Sequence, residues 1–257
     1  MVQGAGDLTF AREGRLVIAK NNLFQVNFNL SKGTWNYIDQ TGHSVIRNAY
    51  TKIVLQNGTV LTTLDAGFRE FMTNPITEDE FGVYQPITFS HQAEGRGIRT
   101  HLYLNCYSKK PYIIFTVGVE NLDEKPIALA QMRLIDVSPF NSQAQGGVYL
   151  GGDPSGYHTF LNMNTPIAYG TRNVYDGFSI NKETSAQVCY DGVLYDTDSK
   201  RSLVFGFLSF QKWWSTIQVG YDARKQANKG ESHGIEQWSL YHKCENHLCH
   251  PGEEVRS

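Results

Sequence analysis

Residues 242–254, HKCENHLCHPGEE, gather His242, His247 and His250 with Cys244 and Cys249 in one short stretch. Zinc takes Cys and His in a tetrahedron, and structural sites pair a C-x₂₋₄-C unit with a second ligand pair elsewhere. In an extended strand His242 and Cys244 share a face and could make half of such a site. The weak metal candidates are therefore His242, Cys244, His247 and Cys249. The other cysteines, Cys106 and Cys189, stand alone, so no second pair completes the set. The plainer reading is a last strand running into a Pro251-Gly252 turn, its cysteines acting as small hydrophobes. On that reading the protein needs no metal and no cofactor, and Glu253–Ser257 leaves exposed along the surface.

Other chemistry is harder to place. No G-x-S-x-G marks a nucleophile elbow. Glu78, Asp79 and Glu80 are adjacent acids, which in a loop are solvated charge. Two-carboxylate catalysis needs acids projecting from rigid elements a set distance apart. No catalytic residue is assigned. The aromatic residues are more suggestive, because sugar rings stack on aromatic faces while acids and amides hold hydroxyls. Trp35 after the Lys32-Gly33 turn, the adjacent Trp213 and Trp214, and Asp153, Tyr157 and His158 in GDPSGYHTF (152–160) are the carbohydrate-binding candidates.

The elements that must carry these residues read as strands. Phe24, Val26 and Phe28 alternate with Gln25, Asn27 and Asn29, which predicts a half-buried strand. Ile98, Thr100, Leu102 and Leu104 oppose Arg99, His101, Tyr103 and Asn105 in the same way. PYIIFTVGVEN (111–121) is apolar almost throughout and predicts a central strand covered on both faces. Residues 127–137, 202–210, 214–222 and 234–244 add further strands. Asn57-Gly58 predicts a hairpin turn, and so does Asp191-Gly192. Only residues 67–74 offer a turn or two of helix, and 138–156 predicts a long Gly/Ser-rich loop. Strands every 8–12 residues point to an all-β sandwich or barrel. The reading is a large antiparallel two-sheet supersandwich forming one domain over 1–257.

Composition narrows the function. The chain has 257 residues, a formal charge of −2, 40% hydrophobic and 19% charged residues. That balance gives no bulk field for nucleic acid or anionic lipid. No run of eighteen apolar residues predicts a membrane span. The opening MVQGAGDLTF lacks the basic and apolar regions of a signal peptide, and the compartment is left open. Fourteen Tyr and fourteen Phe suit both pleated sheets and sugar-binding surfaces.

The segment 99–137, with Pro111 to Asn121 followed by LDEK and PIAL, resembles the N-terminal β-supersandwich of glycoside hydrolase family 36, the α-galactosidase-like group. RSLVFGFLSFQKWWSTIQV (201–219) looks like that group's strand pair, and LCHPGEEVRS (248–257) is similar to its L-x-P-G-E exit. The resemblance implies a galactose-mutarotase-like fold followed by a catalytic (β/α)₈ barrel that holds the family's nucleophile and acid/base, so no catalytic residue carries over. It also makes the histidines and cysteines at 242–250 incidental. The leading reading is thus a non-catalytic β-sandwich domain that shields the barrel, lends loops to its cleft or supports a homo-oligomer. The alternatives are a free-standing carbohydrate-binding protein, and a mutarotase or epimerase moving protons between His and Glu at a hexose carbon.

Overall fold

The computed structural model describes residues 2–3, 6–65, 67–68, 70–92, 97–138, 146–151, 158–161, 171–173, 178–181, 191–196, 199–208, 214–220 and 237–256. The protein is all-β, built from antiparallel sheets. Among the described residues no helix is long and apolar enough to cross a membrane. The chain divides into two compact units: Met1–Ser44, Tyr50–Leu134 and Glu245–Ser257 form one, Val45–Ala49 and Ile135–Cys244 the other.

The first unit is a sandwich. One layer is an antiparallel meander of Val2–Gln3, Thr9–Glu13, Leu16–Lys20, Phe24–Asn29 and Thr34–Asp39. The other layer runs Glu254–Arg256, Ile113–Asn121, Ile98–Tyr107, Gly82–Gln92, Glu70–Thr73, with Thr77–Asp79 also on Gly82–Gln92. The two layers meet through aromatic rings. Phe28 stacks on Phe89 with centroids 4.2 Å apart, and Trp35 on Phe115 at 4.7 Å. Phe24, Val26, Ile87, Leu102, Leu104 and Val119 fill the space between, all buried. Each such side chain contributes roughly 1.5–3 kcal/mol of burial.

One turn of this unit tolerates only glycine. Gly33 has φ +66°, and a Cβ there would lie 1.6 Å from the Thr63 carbonyl oxygen. The Thr63 hydroxyl donates to the Gly33 carbonyl at 2.6 Å, tying the two loops together.

In the second unit Thr171–Asn173, His158–Leu161, Asp191–Asp196 and Ser202–Gly206 form a four-stranded sheet. Phe178–Asn181 pairs with Trp214–Gly220, which pairs with the 237–243 part of Gln237–Cys249.

The Asn57-Gly58 hairpin forms as expected, with Ile53 opposite Leu61. Four local expectations differ. Residues 70–73 form a strand rather than helix, because Phe71 pairs with Phe89 across the ladder and joins the aromatic core. Asp191-Gly192 is not a turn: both residues sit inside the ladder, opposite Gly206 and Phe205. In Ile113–Asn121 burial is confined to the second half: Val117, Gly118, Val119 and Asn121 are buried, while the four residues before them and Glu120 are half-buried. Residues 253–256 do not run out exposed. Glu254–Arg256 adds an edge strand to the sheet, and Val255 is only 1% exposed.

The return of that last strand has a clear cause. Asn121, fully buried, donates from its side chain to the Lys125 and Cys249 carbonyls, each at 2.9 Å. Its backbone N–H donates to the Glu253 carbonyl, and its carbonyl accepts from Gly252 N–H. Gly252 takes φ +73°, so Pro251-Gly252 reverses the chain onto the sheet edge.

Candidate functional site: the polar face of the sheet

Within the first unit, alternation in Ile98–Tyr107 sends Leu102 and Leu104 inward and Arg99, His101 and Tyr103 outward. Register then sets their neighbours. His101 lies opposite Ser90 on one side and Gly118 on the other, and Gly118 lies opposite Arg256. Arg99 lies opposite Glu120, which lies opposite Glu254. Four strands thus contribute one polar patch on a single sheet face.

The patch is closely wired. His101 sits between a hydroxyl and a carboxylate: Nδ1 is 3.0 Å from Ser90 Oγ, and Nε2 is 3.1 Å from Glu120 Oε2. The Arg99 guanidinium donates to the same Glu120 oxygen at 3.0 Å. Next to this line, Tyr103 donates to Glu254 Oε1 at 2.6 Å. Arg256 donates to Glu254 Oε2 at 2.8 Å and to the Tyr103 oxygen at 3.1 Å, and its guanidinium lies 4.4 Å from the Tyr103 ring centre. The His101 and Tyr103 rings stack at 5.9 Å. Gly118 makes room for this: a Cβ there would stand 2.1 Å from Glu254 Oε1.

Electrostatics follow the wiring. Partial burial alone would raise the Glu254 carboxyl, but hydrogen bonds from Arg256 and Tyr103 and the nearby positive charge bring it below the usual range. Burial, then the adjacent Glu254 carboxylate, push the Tyr103 hydroxyl well above an ordinary tyrosine. The Arg256 guanidinium is held more firmly protonated by Glu254. Side-chain exposures of 15% for His101 and 26% for Glu120 leave both reachable from solvent. The face therefore offers carboxylates, guanidinium groups, an imidazole and ring surfaces together.

The residues singled out from the sequence are not brought together here. Trp35 is 1% exposed and stacked on Phe115, so its ring faces protein rather than a ligand. Asp153, Tyr157 and Trp213 lie outside the described residues. His158 opens the strand His158–Leu161 and Trp214 opens Trp214–Gly220, and their side chains too lie outside the described set. Of the weak metal candidates, His242 is fully buried against the Phe207 ring at 4.8 Å, with Ser215 Oγ at 3.5 Å. The Cys244 thiol points to the His242 carbonyl, and the Cys249 thiol to the Val119 and Glu253 carbonyls. His247 is half-buried. Among the described residues no group of three or more His, Cys, Asp or Glu is placed to hold a metal ion. Asp79 accepts from the Tyr107 hydroxyl at 2.7 Å and from the Phe81 and Gly82 amides, so it caps a turn.

Apart from this face, a concavity of about 330 Å³ lies between the Asn57-Gly58 turn, Gly97–Ile98 and residues 123–128. Its lining is Asn57, Thr59 and Asp123 over Leu55, Ile98 and Ile127, without an aromatic face.

The polar side of 99–105 was visible in the sequence alternation. Its partners were not, because Ser90, Glu120 and Glu254 come from three other strands and only register assembles them. No family model matches the chain, and no curated protein matches it.

Proposed function

We propose that this chain is the carbohydrate-contacting β-sandwich module of an α-galactosidase-like glycoside hydrolase, with the polar sheet face as its sugar surface. The observation that carries this reading is the Arg99–Glu120–His101 and Tyr103–Glu254–Arg256 wiring on one face. Sugar hydroxyls are met by paired carboxylates and guanidinium groups, and sugar C–H faces by aromatic rings. The resemblance of 99–137, 201–219 and 248–257 to the supersandwich of that group adds the sugar class and a catalytic barrel as partner. In this reading the glycosidic bond is cleaved by the barrel, and the present chain alone hydrolyses no aryl α-galactoside.

The test is titration of the protein with galactose and methyl galactosides, followed by amide NMR. Shifts confined to strands 98–107, 113–121 and 254–256, with affinity on the order of millimolar, are expected for an open face. Glu120→Gln and Tyr103→Ala remove them. Shifts elsewhere, or none, overturn the reading. The 3.1 Å His101–Glu120 pair also favours the mutarotase or epimerase alternative. Accelerated equilibration of freshly dissolved galactose in a polarimeter, lost in His101→Gln, would select that alternative.

A further inference from the structure

Ser90, His101 and Glu120 form an unbroken hydrogen-bonded line across three adjacent strands, at 3.0 Å and 3.1 Å. The constellation of hydroxyl, imidazole and acid is recognised by geometry, not by motif or chain order. Here no G-x-S-x-G announces it, and the three residues come in the order Ser, His, Glu. Glu120 is itself held by Arg99 at 3.0 Å, which fixes its carboxylate against the imidazole Nε2. With Nε2–H donated to Glu120, the tautomer leaves the Nδ1 lone pair directed at the Ser90 hydroxyl.

We infer that Ser90 is a nucleophile activated by the His101–Glu120 pair, acting on small neutral acyl esters such as acetyl groups on sugar hydroxyls. The sugar as carrier rests on the carbohydrate reading above; the acyl chemistry does not. Ser90 Oγ attacks the ester carbonyl as its proton passes to His101 Nδ1. The Oγ–C bond forms, the ester C–O bond breaks, and the departing alcohol takes the proton back from His101. Water then adds to the acyl-serine by the same route, releasing the acid and restoring Ser90.

Two features set the substrate and the rate. Glu70 stands opposite Ser90 in the ladder and disfavours an anionic acyl chain. Ser90 is also paired on both sides, with His101 and with Glu70, so the ladder engages the amides around it. The acyl oxygen is then met by solvent, where a missing oxyanion donor costs about 10²–10³ in rate. The site is expected to acylate readily with activated reagents and to turn over slowly.

The test uses the whole chain and a fluorophosphonate, which carries no sugar and so is independent of carbohydrate binding. The Ser90 Oγ–P bond forms as the P–F bond breaks, fluoride leaves and the proton goes to His101. Intact mass and peptide mapping are expected to place one label on Ser90. Ser90→Ala abolishes it, His101→Gln slows it about a hundredfold, and Glu120→Gln about tenfold. Circular dichroism checks that each variant is folded, and Thr88→Ala on the same strand serves as a second control that keeps full labelling. A folded protein left unlabelled, labelled elsewhere, or labelled at an unchanged rate in His101→Gln identifies the line as a cross-strand polar ladder and overturns the inference.

Discussion

The Tyr103 hydroxyl donates to the Glu254 carboxylate across 2.6 Å, although 151 residues separate them in the chain. The bond links an interior strand to the last strand of the sheet. Burial and then the Glu254 carboxylate hold the phenol protonated, and Glu254→Gln removes the second of these. Ultraviolet absorbance titration is expected to show one tyrosine ionising at lower pH than in the parent protein. The bond is partly exposed, so its loss costs only about 1 kcal/mol in denaturant unfolding. An unchanged tyrosine titration contradicts the geometry.

Gly33 and Gly14 separate backbone strain from steric conflict. Both take positive φ, +66° and +62°, but nothing lies within 4 Å of a Cβ at Gly14. Gly14→Ala is expected to cost about 1 kcal/mol, the ordinary penalty for that conformation. Gly33→Ala drives a methyl into the Thr63 carbonyl and forces two loops apart, costing about 3 kcal/mol or more. Equal costs in parallel urea unfolding curves would show that the loop crossing is loose.

His242 makes stability depend on pH. Burial depresses its pKa from 6.5 to about 4. The unfolded chain therefore binds a proton that the folded one refuses between those values. The contribution is complete above pH 6.5, declines as pH falls through this window, and is gone below about 4. It amounts to about 3 kcal/mol in total. In His242→Phe the fall in unfolding free energy between pH 6.5 and 4 becomes shallower by that amount, measured by denaturant titration at fixed pH values.

Val255 tests whether Glu254–Arg256 belongs to the sheet. At 1% exposure, truncation to alanine is expected to cost about 1–3 kcal/mol. Hydrogen exchange gives a second readout: the Gly118–Glu120 segment, protected in the parent by this strand, exchanges faster in Val255→Asp. Exchange that is already fast in the parent would return the segment to the exposed exit that the Pro251-Gly252 turn suggests on its own.

Local pattern carried the fold class. Strict alternation in 24–29 and 98–105 placed Phe28 and Leu104 inward without knowledge of partners, and Asn57-Gly58 announced its hairpin. Pattern failed where the deciding term was another strand. EFMT at 70–73 is too short to show an alternation of its own, yet Phe71 meets Phe89. In 127–134 the buried side moves from Leu129 to Met132 and Leu134, a change of face that no alternation rule contains. The candidate site was half legible: Arg99, His101 and Tyr103 were read as one polar side, while Ser90, Glu120 and Glu254 were indistinguishable from ordinary surface residues. Trp35 reads from sequence as an aromatic platform, but the same large apolar surface that suits a sugar also suits a core, and Phe115 takes it.

The edge position of Glu254–Arg256 also sets an order of events during biosynthesis. The ribosome makes Ile113–Asn121 and the partner strands of its sheet long before it makes residues 254–256. Until those last residues emerge, Val119 has no edge cover, Tyr103 has no carboxylate to bind, and an unpaired strand edge lies open to other chains. A nascent chain that pauses in this interval presents Gly118–Glu120 as a template for mispairing, and the turn at Pro251-Gly252 closes that stretch by laying residues 254–256 on it.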